Sequence, residues 1–338
     1  MAVDKNRQKQ RKPMYGSEGA IGNRPSRQEF LRRAAVLAVT AVTAAPATAG
    51  IRTPGLHFPT EPRARLGVTS RPFRAFIESP TNHGRDPRKP GMDLKDFPAM
   101  VVSRFNLRNV ELLSDHFASS EQAYIDGLRN AVEKAGTRII DLGLSAHGSF
   151  FDLDPARRDR EITYCKQWVD VAVQLGAPSV RAHIDRAPGV RANARTAAET
   201  LTRVVDYSAE RNVLVLLEND DLVAEDPFFI VDVITQVSSP YLCALPDFAN
   251  TLLHGDTAYN YRGLSAMFEH AYNMSHMKDC ESGDDGKVYC VDVHRAFSIA
   301  RSNGYRGYFS MEWGRGGDPF KGTQKLIEES LSNLRSGD

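Results

Sequence analysis

The chain has 338 residues, 41% hydrophobic and 25% charged, the makeup of a soluble globular protein with room for one large domain. Its formal net charge of +1 provides no global field toward nucleic acid or a membrane surface. Four cysteines without a CxxC pair argue against a zinc knot and against a disulfide-dense scaffold.

Residues 1–50 read as an address. Lys5, Arg7, Lys9, Arg11 and Lys12 form a basic arm, and residues 34–49 are an apolar run of small residues ending in Ala-Thr-Ala before Gly50. Basic, apolar, small-residue cleavage site is the order of a secretory signal, and the run is too short for a stable membrane span of about 20 residues. Ser26-Arg27-Gln28-Glu29-Phe30-Leu31-Arg32 is similar to the twin-arginine export motif, with Gln28 in place of the second arginine. The expectation is a periplasmic or extracellular protein, a linker over 51–64, and one catalytic domain over 65–335.

In chain order that domain alternates short β-branched runs with helical stretches. The strands are expected at Leu66–Ser70, Asn109–Leu113, Arg138–Leu144, Ser179–Ile184, Val213–Leu217, Leu242–Pro246, Asn273–Lys278 and Tyr308–Trp313. Helices are expected at Glu121–Ala135, Arg158–Leu175, Asn193–Arg211, Pro227–Gln236, Asp292–Asn303 and Gly322–Leu334. Gly136, Gly176 and Gly304 follow three of these as C-terminal stops. Alternation of this kind implies βα units with parallel strands, and eight units in about 270 residues match a closed (β/α)8 barrel. A doubly wound sheet would carry a Gly-rich phosphate turn after the first strand; Gly67-Val68-Thr69-Ser70-Arg71 offers none. Two longer connections, 79–98 and 279–291, fall after strands one and seven, on the rim where barrels build their sites.

Each of the last four strands ends in a residue able to ligate metal: Glu218, Asp247, His276 and Glu312. Their separations are 29, 29 and 36 positions, one βα repeat each, so the four side chains can converge. Three carboxylates and an imidazole suit one hard divalent cation, manganese first, with magnesium, cobalt or zinc as alternatives.

At these residues the chain resembles the xylose isomerase-like (β/α)8 superfamily, of the sugar phosphate isomerase/epimerase type. The resemblance is carried by Leu217-Glu218-Asn219, Asp247-Phe-Ala-Asn250, His276-Met-Lys278-Asp279 and Ser310-Met-Glu312, with His147-Gly-Ser149-Phe-Phe151 upstream. It implies a TIM barrel and a proton transfer alpha to a carbonyl through a metal-stabilised enediolate. Glu218 and Glu312 would be the catalytic pair, and Asp247 and His276 plain ligands, His276 needing an acceptor to set its tautomer. His147, Arg181, His183, Asn250, Lys278 and Trp313 are the candidate substrate contacts.

Asn250 stands where epimerases of this family often carry histidine, which weakens a simple ketose 3-epimerase. An exported lyase that cleaves 3-keto-glycosides, C-glycosides included, begins with the same proton abstraction and is the alternative; a non-catalytic sugar-binding barrel is another. An AP endonuclease needs a His-rich multi-zinc site and a basic face, which the chain lacks. The expected partner is a small sugar or glycoside, with no nucleic acid and no stable membrane span; a homo-oligomer or a small accessory subunit is the protein partner to look for. In an exported protein Cys280 and Cys290, flanking a turn with Gly283 and Gly286, either pair across a hairpin or stay as free thiols.

Overall fold

The computed structural model describes residues 54–284 and 286–335. The basic arm and apolar run read as an export signal lie outside the described residues. From Leu66 onward strands and helices alternate: β1 (Leu66–Thr69), α1 (Phe97–Phe105), β2 (Asn109–Leu113), α2 (Gln122–Lys134), β3 (Arg138–Gly143), α3 (Pro155–Leu175), β4 (Ser179–Ala182), α4 (Ala194–Glu210) and β5 (Leu214–Glu218). There follow α5 (Pro227–Val237), β6 (Leu242–Leu245), α6 (Thr257–Phe268), β7 (Met274–Met277), β8 (Cys280–Ser282), β9 (Val288–Cys290), α7 (Val293–Ser302), β10 (Tyr308–Met311) and α8 (Pro319–Arg335).

Eight of these strands form one parallel sheet in the order β6-β5-β4-β3-β2-β1-β10-β7. Its two ends meet. Ala244 bridges Ala271 and Asp247 bridges His276, and His276 N–H donates to Pro246 O at 3.0 Å. The chain is therefore a (β/α)8 TIM barrel, closed at the β6–β7 seam by these bridges rather than by a full ladder. The barrel strands are buried along almost their whole length, as strands covered on both faces must be.

All eight expected strands are present. The unexpected α-helices are α1 and α6. Both lack a clean apolar period: α1 carries Pro98 in its first turn, and α6 carries Gly263 and three polar residues in its first six. Gly263 is required by packing, since a Cβ there would stand 2.6 Å from the Pro227 ring. The helices start where short side chains cap them: Asp154 accepts from Ala156 N–H at 2.9 Å, Asn193 from Thr196 at 3.0 Å and Asp292 from Arg295 at 3.0 Å. Pro155 follows Asp154 as the first helical residue, so α3 begins three residues before its expected start at Arg158. Gly176 closes it in the left-handed region at φ 69°.

The connection 279–291 folds as an antiparallel hairpin of β8 and β9, with Cys280 opposite Cys290 and a disulfide between them. Just before the barrel, Phe58 packs edge-on against Tyr272 at 5.3 Å between ring centroids and against Tyr308 at 5.6 Å. Residues within 51–64 are thus docked on the barrel.

Candidate metal centre and its cavity

Parallel strands place all their C-terminal ends on one rim, and the next residues point into its mouth. Glu218 ends β5, Asp247 lies two residues past β6, His276 is in β7 and Glu312 directly follows β10. All four are buried. One ligand atom from each lies within 4.8 Å of the others. His276 Nδ1 faces Glu218 Oε1 at 2.7 Å, Glu312 Oε2 at 2.8 Å and Asp247 Oδ2 at 3.9 Å. Asp247 Oδ1 accepts from the backbone N–H groups of Ala249 and Asn250, each at 2.8 Å. Its Oδ2 is buried with no hydrogen-bond partner. Lys278 Nζ lies 3.7 Å from it, too far for a hydrogen bond, so this buried carboxylate oxygen beside an imidazole nitrogen and two more carboxylates still lacks a direct partner of the kind a cation would supply. The residues present therefore fit one divalent ion.

His276 shows how such a ligand is aimed. Its other nitrogen, Nε2, lies 3.0 Å from both oxygens of Glu111 in β2. A carboxylate only accepts, so Nε2 carries a proton. Against burial, Glu111, Glu218 and Glu312 raise the His276 pKa well above its ordinary value, so Nδ1 holds a second proton, the one a divalent ion would displace to take Nδ1 as its ligand. Glu111 is itself held by Ser310 Oγ–H at 2.7 Å.

Cations hold the outer oxygens of the two glutamates. Arg181 Nη1 lies 2.8 Å from Glu218 Oε2, Arg71 Nε lies 3.1 Å from Glu312 Oε1, and Lys278 Nζ lies 3.4 Å from the same oxygen. Burial by itself would raise both carboxyl pKa values. The charges of His276 and Arg181 outweigh it at Glu218, which is held at about 2. Lys278 and His276 do the same at Glu312, which is pulled well below the usual carboxylate range. At Asp247 burial wins over Lys278 and pushes the pKa up to about 7. Burial opposes charge on Arg181 too, but Glu218 and Glu111 overcome it and the guanidinium stays protonated. Gly143 makes room for this arginine: a Cβ there would lie 2.6 Å from Arg181 Nη2.

Of the expected substrate contacts, Arg181, Asn250 and Lys278 reach the cluster. Lys278 donates to Asn250 Oδ1 at 2.7 Å and to Glu281 Oε2 at 2.8 Å, and Asn250 Nδ2 donates to Glu218 Oε1 at 3.3 Å. His183 lines the same cavity but has both nitrogens engaged. Arg181 Nη1 donates to its Nε2 at 2.7 Å, and its Nδ1–H donates to Glu225 Oε1 at 2.9 Å. His183, Asp220 and Glu225 form a second cluster with metal-ligating atoms, yet the Arg181 guanidinium sits against its imidazole, a poor neighbour for a cation.

His147 and Trp313 are not brought to the cluster. His147 lies in an adjoining groove with its ring centroid 4.0 Å from that of Tyr164. Trp313 lines a different groove, its ring against Gly322 of α8, where a Cβ would come within 2.2 Å. Glu111, Arg71 and Glu225 belong to the site and carry no motif. The available signal was a lone charge inside an apolar strand, Asn109-Val-Glu111-Leu-Leu113, which must find a partner once buried.

A family model described as xylose isomerase-like TIM barrel matches residues 101–336. Among solved structures, a xylose isomerase-like TIM barrel protein from Mycobacterium smegmatis in complex with magnesium is 15% identical with a TM-score of 0.62, covering 80% of this chain and 97% of that one. A D-allulose 3-epimerase from Methylomonas sp. is 16% identical with a TM-score of 0.59, covering 81% and 98%. The 3-keto-D-glucoside 4-epimerase from E. coli is 14% identical with a TM-score of 0.58, covering 80% and 99%. At these identities the likeness is one of fold. No curated protein matches the chain at the sequence level.

Proposed function

The chain belongs to the xylose isomerase-like TIM barrel family, and from that premise we propose that it is a metal-dependent sugar isomerase or epimerase that moves a proton alpha to a carbonyl. The observation that carries this reading is the convergence of Glu218, Asp247, His276 and Glu312, with Asp247 Oδ2 buried and without a hydrogen-bond partner. Three oxygens and one nitrogen suit manganese, between the oxygen-loving magnesium and the imidazole-loving zinc and cobalt. Bound there, a divalent cation supplies a Lewis acid that acidifies the proton beside a carbonyl.

The chain's own residues do the rest. Glu218 and Glu312 stand on β5 and just after β10, both within 2.8 Å of His276 Nδ1, and serve as the carboxylates that remove the proton and return it. Arg181, Arg71 and Lys278 keep them ionised and hold their outer oxygens still. Glu111 sets the tautomer of His276. Asn250 and Lys278, hydrogen-bonded to each other at 2.7 Å, are the groups we assign to orienting substrate oxygens.

The test is metal analysis of the purified protein, followed by NMR of solvent-deuterium uptake at the alpha carbon of free ketoses and 3-keto-glucosides. Wild type is expected to exchange, and Glu218→Gln and Glu312→Gln to lose about 100-fold or more. Release of free aglycone from the 3-keto-glucosides would turn the assignment to the lyase. A protein with no bound divalent metal and no exchange on any substrate would overturn the enzyme reading.

We further propose twin-arginine export, supported by the order of residues 1–50 and by a disulfide of the kind that persists in oxidising compartments. N-terminal sequencing of the native protein should begin near Gly50; a cytosolic protein retaining the basic arm would count against it.

A further inference from the structure

The metal-centre cavity measures 250 Å3, below the about 300–1,000 Å3 of sites that enclose drug-sized ligands. It suits one small sugar. A second cavity of 450 Å3 lies beside it on the same rim. Two chain segments pass from one to the other: Gly143–Ala146 lines the first and His147–Ser149 the second, while Arg181 and His183 line the first and Asp185 and Arg186 the second.

Glu161 of α3 lines this second cavity. It is 3% exposed, and the partner of its Oε1 is the Cys165 thiol at 3.8 Å, a weak donor. Burial pushes its pKa up to about 7, so near neutral pH the group both donates and accepts. Hydroxyl groups offer the same pair of capacities. Gly148 faces it: a Cβ there would stand 3.5 Å from Glu161 Oε2, so a longer side chain would cover the carboxyl. One wall is the ring pair of Tyr164 and His147. The rim charges balance in number: Arg157 pairs with Asp152 at 3.3 Å and Arg186 with Asp221 at 2.5 Å, and the remaining two, Arg160 and Asp185, are of opposite sign. A buried polar group, an aromatic wall and a charge-balanced rim describe a site for a neutral, polyhydroxylated ring.

We propose that this cavity is a second sugar subsite, holding the ring distal to the metal centre, so that the preferred ligand is a two-ring glycoside rather than a free monosaccharide. The proposal rests on the sugar-processing reading only in seating the first ring at Glu218 and Glu312.

Saturation-transfer NMR on the full chain with magnesium, using cellobiose and methyl β-glucoside as probes, tests it. Both rings of cellobiose should take up saturation. Glu161→Gln, and independently Gly148→Leu, which fills the cavity from the opposite side, should reduce the preference for cellobiose over methyl β-glucoside by about tenfold. Circular dichroism checks that each variant folds. Saturation confined to one ring, or an unchanged preference in both variants, overturns the subsite while leaving the proton-transfer reading intact. Binding of neither probe overturns the subsite as well. Deuterium exchange on free ketoses then reports separately whether the metal centre works.

Discussion

His276 is held from both sides, by Glu111 at one ring nitrogen and by Glu218 and Glu312 at the other. Removing the outer partner should therefore act on the inner one. Glu111→Ala is expected to weaken divalent-metal affinity by about 10–100-fold, because the imidazole loses its fixed tautomer and orientation; competition against a chromogenic chelator measures it, and an unchanged affinity would refute the role. Glu161 makes a separate, pH-dependent prediction. Its folded pKa of about 7 lies above its ordinary 4.5 because burial disfavours the charge. The neutral carboxyl therefore adds stability that is fully present below about pH 4.5 and is lost as pH rises through about 7. Glu161→Gln, neutral at every pH, should match wild type near pH 4.5 and exceed it above pH 8 by on the order of 2–3 kcal/mol. Urea denaturation at several pH values reads the difference. A gap that stays constant or narrows with rising pH would contradict it.

Among the elements, the hairpin of β8 and β9 is the one that a sequence pattern only half announces. It follows β7 directly, and its Glu281 Oε2 sits 2.8 Å from Lys278 Nζ, which in turn lies 3.4 Å from Glu312. The Cys280–Cys290 bond closes this loop. By the chain-entropy argument a loop of this length is worth up to about 3 kcal/mol. The double substitution Cys280→Ser with Cys290→Ser should lower the unfolding free energy by up to that amount relative to oxidised wild type and leave it unchanged relative to reduced wild type; denaturant curves with and without reductant compare them. If reduced wild type and the double variant differ in stability, the bond is not the cause.

For the whole barrel, the centre joins β5, β7 and the segments after β6 and β10, so a bound cation ties together four separate βα units. A ligand that binds only the folded state at a hundred times its Kd adds about 2.7 kcal/mol. With about 2–4 °C per kcal/mol in domains of this order of size, chelation should lower Tm by about 5–10 °C, and one equivalent of manganese or magnesium should restore it. Scanning calorimetry with and without chelator checks this; a Tm indifferent to chelation would speak against a resident metal.

Local sequence determined the eight strands, most of the helices and the four candidate ligands. Each of these leaves a trace within a few residues: an apolar run that ends in a polar side chain, an aspartate or asparagine cap, a glycine stop. Two helices, α1 and α6, escaped because their apolar spacing is interrupted by Pro98 and Gly263, even though Asp256 caps α6. Tertiary structure alone decided the rest. Glu111 reaches His276 across 165 positions of chain and Arg71 reaches Glu312 across the β1–β10 closure; nothing near either residue records its partner. The same holds for His147 and Trp313, whose motif neighbours pointed to the centre while packing against Tyr164 and Gly322 turned them into adjoining grooves. Ligand identity follows strand periodicity, which is local. Who holds each ligand depends on which strands a closed barrel makes neighbours, and only the folded chain specifies that.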